Sequence, residues 1–155
     1  MRATLLPLLV LGPLLGLAAC SEKDRLMGKA WTCLPTEEMH LAIKFLNDSK
    51  LEAQLALSDP KSEAQKDPQR PPLSIKMTLG GQWVQPEEGR MDFAFRSATV
   101  TEAKRGDTPL SDADVFFYKE MFEASPKTST KIVELSGSKF TYQELSSDKT
   151  VTCTR

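Results

Sequence analysis

The chain has one histidine, His40, and three cysteines, Cys20, Cys33 and Cys153, in 155 residues. That supply cannot build a His-rich or Cys-rich metal site. Glu37, Glu38 and His40 are the one local grouping of such residues, and they read as a solvated turn. A nucleophile-base-acid triad would have to use His40 as its base, and no Gly-x-Ser-x-Gly elbow accompanies it. Phosphate-cradling and dinucleotide glycine patterns are missing. An excess of one charge is missing as well. The 20 basic residues face 21 acidic ones, a formal net charge of −1, which gives nucleic acid no clustered positive footprint. Carboxylates are plentiful, but nothing in their spacing sets two of them face to face across a glycosidic bond. These absences lead to the expectation of a non-catalytic protein with no metal, no cofactor and no nucleic-acid partner.

Long apolar runs are also scarce. Leu5 to Ala19 is apolar, broken by Pro7, Gly12, Pro13 and Gly16, and it follows a short positive start at Met1-Arg2. It falls short of the roughly 20 residues that a membrane-spanning helix needs. It does match the apolar core of a secretory signal ending in small residues, so residues 1–19 are expected to be a cleaved signal peptide. No later run is long enough to cross a bilayer.

Leu17-Ala18-Ala19-Cys20 resembles the lipobox of bacterial lipoproteins. The resemblance implies a diacylglyceryl group on the Cys20 thiol, cleavage before Cys20 and an acyl chain such as palmitate on the new amine. An ordinary signal peptide with a chance cysteine is the alternative. Each buried CH₂ contributes about 0.8 kcal/mol, and one chain binds a bilayer marginally where two or more hold it stably. Ser21 is not the Asp that marks inner-membrane retention. The implied place is the outer membrane of a Gram-negative bacterium, with the domain facing the periplasm.

Removal of the signal takes Arg2 with it and leaves one domain's worth of chain. With Cys20 consumed by the anchor, Cys33 and Cys153 remain near the two ends of that domain, in an oxidising compartment where disulfides persist. They are expected to pair; two free buried thiols are the alternative.

Residues 20–27 read as a lipidated N-terminus and charged tether, and residues 28–155 as the folded domain. Gly28 to Leu34 reads as a first strand. Leu41, Ile43 and Phe45, then Leu51, Ala53, Leu55 and Leu57, alternate with polar or small neighbours on either side of Asn47-Asp48-Ser49-Lys50, which predicts a hairpin. Residues 58–72 hold four prolines and many charges and form a polar loop. Ile75, Met77 and Leu79 predict the next strand, with a break at Gly80-Gly81 and a new extended piece from Trp83. Met91, Phe93 and Phe95 alternate most clearly, and a further short strand is expected at residues 99–102. Ser111 reads as an N-cap with Asp114 three residues on, opening an amphipathic helix over 111–124 that Pro126 ends. On its wheel Val115, Phe117, Tyr118, Met121 and Phe122 share a face. Phe116 lies apart among charged residues and is the candidate contact for a partner or ligand, with a single exposed apolar residue of the ordinary kind as the alternative. Strands over 131–135, 139–145 and 150–155 complete a mostly β domain. A Cys33–Cys153 bridge would set the first strand beside the last, as in a closed antiparallel barrel, with a sandwich as the alternative.

Gly28, Trp31 and Cys33, together with Gly81, Trp83 and a late strand ending in Arg155, resemble the lipocalin-like lipoproteins of Gram-negative bacteria. The usual lipocalin start is Gly-x-Trp, and one extra residue separates Gly28 from Trp31 here. The resemblance implies a small barrel with Trp31 near one end, its indole N–H requiring a partner, and an apolar or amphipathic ligand entering the barrel mouth. A second resemblance is to periplasmic lysozyme inhibitors, through Ser136-Gly137-Ser138, which reads equally as an ordinary turn. The functional expectation is a non-catalytic, lipid-anchored binding or envelope-accessory protein. The alternative is an interaction protein that inhibits an envelope-attacking enzyme such as lysozyme.

Overall fold

The computed structural model describes residues 21–60, 66, 67 and 69–155. Residues 1–19, expected to be a signal peptide, and Cys20 lie outside the described residues. The chain begins with helix α1 (Glu22–Leu26), followed by strands β1 (Ala30–Thr36), β2 (Met39–Phe45), β3 (Lys50–Ser58), β4 (Leu73–Val84), β5 (Arg90–Arg105) and β6 (Thr108–Pro109). Helix α2 (Asp112–Glu123) precedes β7 (Thr128–Leu135), β8 (Lys139–Glu144) and β9 (Thr150–Thr154).

Every strand except β6 pairs with its sequence neighbours in a ring, β1-β2-β3-β4-β5-β7-β8-β9, and β9 returns to β1. All of these pairings are antiparallel. The fold is a closed, up-and-down eight-stranded β-barrel, with β6 a two-residue strand folded back antiparallel on the end of β5. Closure follows from the alternation: Trp31, Cys33, Leu41, Ile43, Phe45, Leu51, Ala53, Leu55, Ile75, Met77 and Leu79 are all buried, while their chain neighbours point outward. One row of inward side chains per strand fills a barrel of this size.

Two seams are weaker than the rest. β1 meets β9 through only Thr32–Thr154 and Cys33–Cys153, and the disulfide joins the second pair directly across the strands, with the Cα atoms 4.0 Å apart. β5 meets β7 over four pairs, from Arg90–Lys131 to Phe93–Thr128, after which the two strands part.

Three expectations differ from the structure. Gly80-Gly81 does not break β4, which runs through both. The register with β5 shifts there instead, from Gly80–Ser97 to Gly81–Phe95. A Cβ at Gly81 would run into the Ala94 carbonyl and approach the Phe95 Cα to 3.1 Å, so glycine is required by backbone proximity. The Met91–Phe95 strand and the short strand after it are one 16-residue strand, β5. Finally, the segment after residue 20 is not a loose tether. Ser21 caps α1 with a full capping box through Asp24, and Leu26 is wholly buried.

Candidate functional site

The barrel has one closed end and one mouth. At the closed end Trp31, Phe45, Trp83 and Phe140 pack together, edge to face for Trp31–Phe140 and Phe45–Phe140 with centroids 5.7 and 6.3 Å apart, and tilted for Phe45–Trp83 at 4.7 Å. Both indoles find acceptors, as buried indoles require: Trp31 Nε1 donates to the Leu26 carbonyl at 3.2 Å and Trp83 Nε1 to the Asn47 carbonyl at 2.7 Å. Helix α1 lies across this end. Gln85 Nε2 and the Gly89 amide both donate to Glu22 Oε2 at 2.8 Å, and Lys23 pairs with Asp48 at 3.2 Å. The Arg155 guanidinium stacks over Trp31 and donates to the Gly137 carbonyl.

The mouth lies at the other end, where β5 and β7 separate. A cavity of about 150 Å³ opens there. Met39, Leu41, Phe93, Phe95, Phe122 and Tyr142 supply its apolar wall, with Pro35, Pro126 and Glu144 at its edge. Phe122, the one buried residue of α2, inserts its ring against Phe95, centroids 6.5 Å apart. It thereby roofs the cavity from the gap that β7 vacates.

The parting of the strands would leave amides of β5 without ladder partners, and an unpaired buried amide is costly. Helix α2 repairs this. Glu123 Oε1 accepts from the Ala98 amide at 2.9 Å, and Arg96 reaches the Ser125 carbonyl at 3.4 Å. Below the gap, Lys127 pairs with Asp92 at 2.9 Å and Thr130 Oγ1 donates to the Met91 carbonyl at 2.8 Å. The Lys127 contact holds the Asp92 carboxyl below its ordinary value, against the opposing effect of burial. On the mouth side, Arg105 makes a two-pronged pair with Asp59 at 2.7 and 3.1 Å, and this hydrogen bond lowers the Asp59 carboxyl. Inside the cavity, burial and then the neighbouring Glu144 raise the Tyr142 phenol, which stays neutral at physiological pH.

Of the residues singled out from sequence, Cys33 and Cys153 are brought together, whereas Cys20 falls outside the described residues. Phe116 is 63% exposed, but it is not alone: Phe117 is 62% and Met121 43% exposed. The broad apolar face expected of α2 is therefore not buried as a unit. Ser111 caps the helix by accepting from the Asp114 amide and donating to its carboxylate. Ser136-Gly137-Ser138 forms the tight turn between β7 and β8, closed by the Ser136 amide on the Lys139 carbonyl at 2.8 Å. His40 sits on the outer face, beside Gln54 and Lys76 in an open groove of about 430 Å³. Among the described residues no three His, Cys, Asp or Glu side chains gather as a metal site, and no helix is long and apolar enough to cross a membrane.

Sequence reasoning did not find Glu123 or the cavity-lining role of Tyr142. The one advance signal for Glu123 was Pro126, which forces the chain to turn directly after a helix that ends in Phe122-Glu123. No protein-family model matches this chain, and no curated protein resembles it measurably.

Proposed function

We propose that this is a non-catalytic binding protein, anchored by acylated Cys20 to the outer membrane with its domain in the periplasm, which takes a small apolar group into the mouth beneath α2. The cavity roofed by Phe122 carries this reading. Its walls are mainly aromatic and aliphatic, in the manner of small-molecule pockets, with Tyr142 and Glu144 among the few polar groups that line it. About 150 Å³ is room for roughly five water-sized groups at about 30 Å³ each. That suits the end of an alkyl chain or a small ring, with the remainder of an amphipathic ligand outside. Glu144 at the edge disfavours an anionic head group there, so alcohols and amines should bind ahead of carboxylates.

The test is mass spectrometry of small molecules retained by the detergent-purified protein, alongside titration with short-chain alcohols and amines. Leu41→Trp fills the cavity, and Phe122→Ala opens it. Saturable binding that Leu41→Trp abolishes and Phe122→Ala alters supports the reading. Identical behaviour of all three folded proteins refutes it.

A second reading, that of an interaction protein, is favoured by the exposed Phe116, Phe117 and Met121. Phe117 and Met121 are neighbours at i, i+4 on the helix, and grouped exposed apolar side chains mark contact surfaces more often than single ones do. Lysozyme inhibition by excess protein, and its loss in Phe116→Ser, would support it. No inhibition at excess protein removes the lysozyme form of this reading.

A further inference from the structure

Helix α1 leaves almost no slack between the barrel and residue 20. It is fastened at several independent points: Glu22 to Gln85 and Gly89, Lys23 to Asp48 and over the Trp83 ring, Leu26 to Trp31, and the Gly28 amide to the Phe45 carbonyl at 2.9 Å. Ser21 is already its N-cap. A trans peptide bond sets the Cα of residue 20 about 3.8 Å from that of Ser21 whatever its conformation. An acyl group on Cys20 would thus emerge at the closed end, beside the β4–β5 turn that shares a surface hollow with Ser21 and Glu22.

We propose that the closed end of the barrel is a lipid-surface contact: the anchor holds α1 and the β2–β3 and β4–β5 turns against the headgroups, and the mouth beneath α2 faces away from that membrane. This rests on the Cys20 acylation proposed above. The surface suits the role. Leu46 and Val84, which flank those two turns, are 40% and 49% exposed, an apolar pair where the tethered domain meets the interface. Lys29 and Lys50 lie exposed at the same end together with Asp48, Glu87 and Glu88, so the contact rests on the anchor and the apolar pair rather than on charge. The mouth is distant. β3 alone runs nine residues, about 30 Å of strand at about 3.3 Å per residue, so even a tilted barrel carries its opening clear of the headgroups. The ligand is then exchanged with something other than the anchoring leaflet.

The test uses the full protein purified from membranes, with its mass measured, in phosphatidylethanolamine–phosphatidylglycerol vesicles that carry a headgroup quencher. A fluorophore is placed at the closed end through Ser138→Cys or at the mouth through Ser146→Cys. The expected result is quenching several-fold stronger at Ser138→Cys than at Ser146→Cys. Insertion of a long Gly/Ser linker after Cys20 should remove that difference. Added acyl mass with equal or reversed quenching overturns the orientation and leaves the anchor standing. A difference that survives the linker overturns the role of α1 in setting it. A protein with no added acyl mass that does not bind vesicles overturns the anchor and the orientation together.

Discussion

The Arg155 guanidinium lies over the Trp31 ring, 4.7 Å from its centroid, so the residue after β9 covers the one aromatic of β1, which is wholly buried. The contact crosses the β1–β9 seam on the closed-end side of the disulfide, and it gives that seam a second fastening.

Arg155→Ala should destabilise the barrel by about 1 kcal/mol, the usual size of a cation–π contact, with a further loss from its hydrogen bond to Gly137. Arg155→Lys should recover only part, because an ammonium lacks the planar face that stacks. Urea midpoints of the three proteins measure this.

The disulfide stabilises a seam that backbone pairing barely holds. Replacing both Cys33 and Cys153 by Ser should lower stability by about 2–4 kcal/mol, the usual result of opening a long covalent loop. Hydrogen exchange should quicken first in β1 and β9, which have two register pairs between them, ahead of β3 and β4, which have nine.

Glu123 takes the place of a missing strand for Ala98. Glu123→Ala should cost about 1–3 kcal/mol, the penalty of an unsatisfied buried donor, and should speed exchange of the Ala98 amide. Glu123→Gln keeps an acceptor and should lie between the two. Exchange measured by NMR on folded protein separates this local effect from global unfolding.

Acid should loosen the mouth. The Arg105 guanidinium lowers the Asp59 carboxyl from its ordinary 3.8, so the folded state binds the Asp59 proton less readily than the unfolded chain does. The stabilisation is therefore complete above the ordinary value and fades as pH falls below 3.8 toward the lower folded value. Asp92, lowered by Lys127, adds a loss of the same sign. Denaturation midpoints from pH 7 to pH 3 should fall less steeply for Asp59→Asn than for the native protein, although Asp59→Asn starts lower at pH 7.

Much of the barrel was legible in one dimension. Leu41-x-Ile43-x-Phe45 and Leu51-x-Ala53-x-Leu55 alternate because one side of each strand faces a filled interior, and Asn47 marks their turn by accepting from the Ser49 and Lys50 amides. Ser111 and Pro126 bounded α2 because capping and the missing proline N–H are local effects. The break expected at Gly80-Gly81 went wrong for the opposite reason. A glycine pair signals a turn locally, yet here it serves the close approach of a neighbouring strand distant in sequence.

The sequence by itself determined the period-two strands and the bounds of α2, since each depends on neighbouring residues, whereas the pairing of Cys33 with Cys153 is fixed by the structure. Only the tertiary structure decided that β5 and β7 part company, that Phe122 roofs the resulting gap, that Glu123 answers the Ala98 amide and that α1 seals the far end. Those features depend on how far apart strands lie once the ring has closed. That spacing is a property of the whole barrel, and no short stretch of chain encodes it.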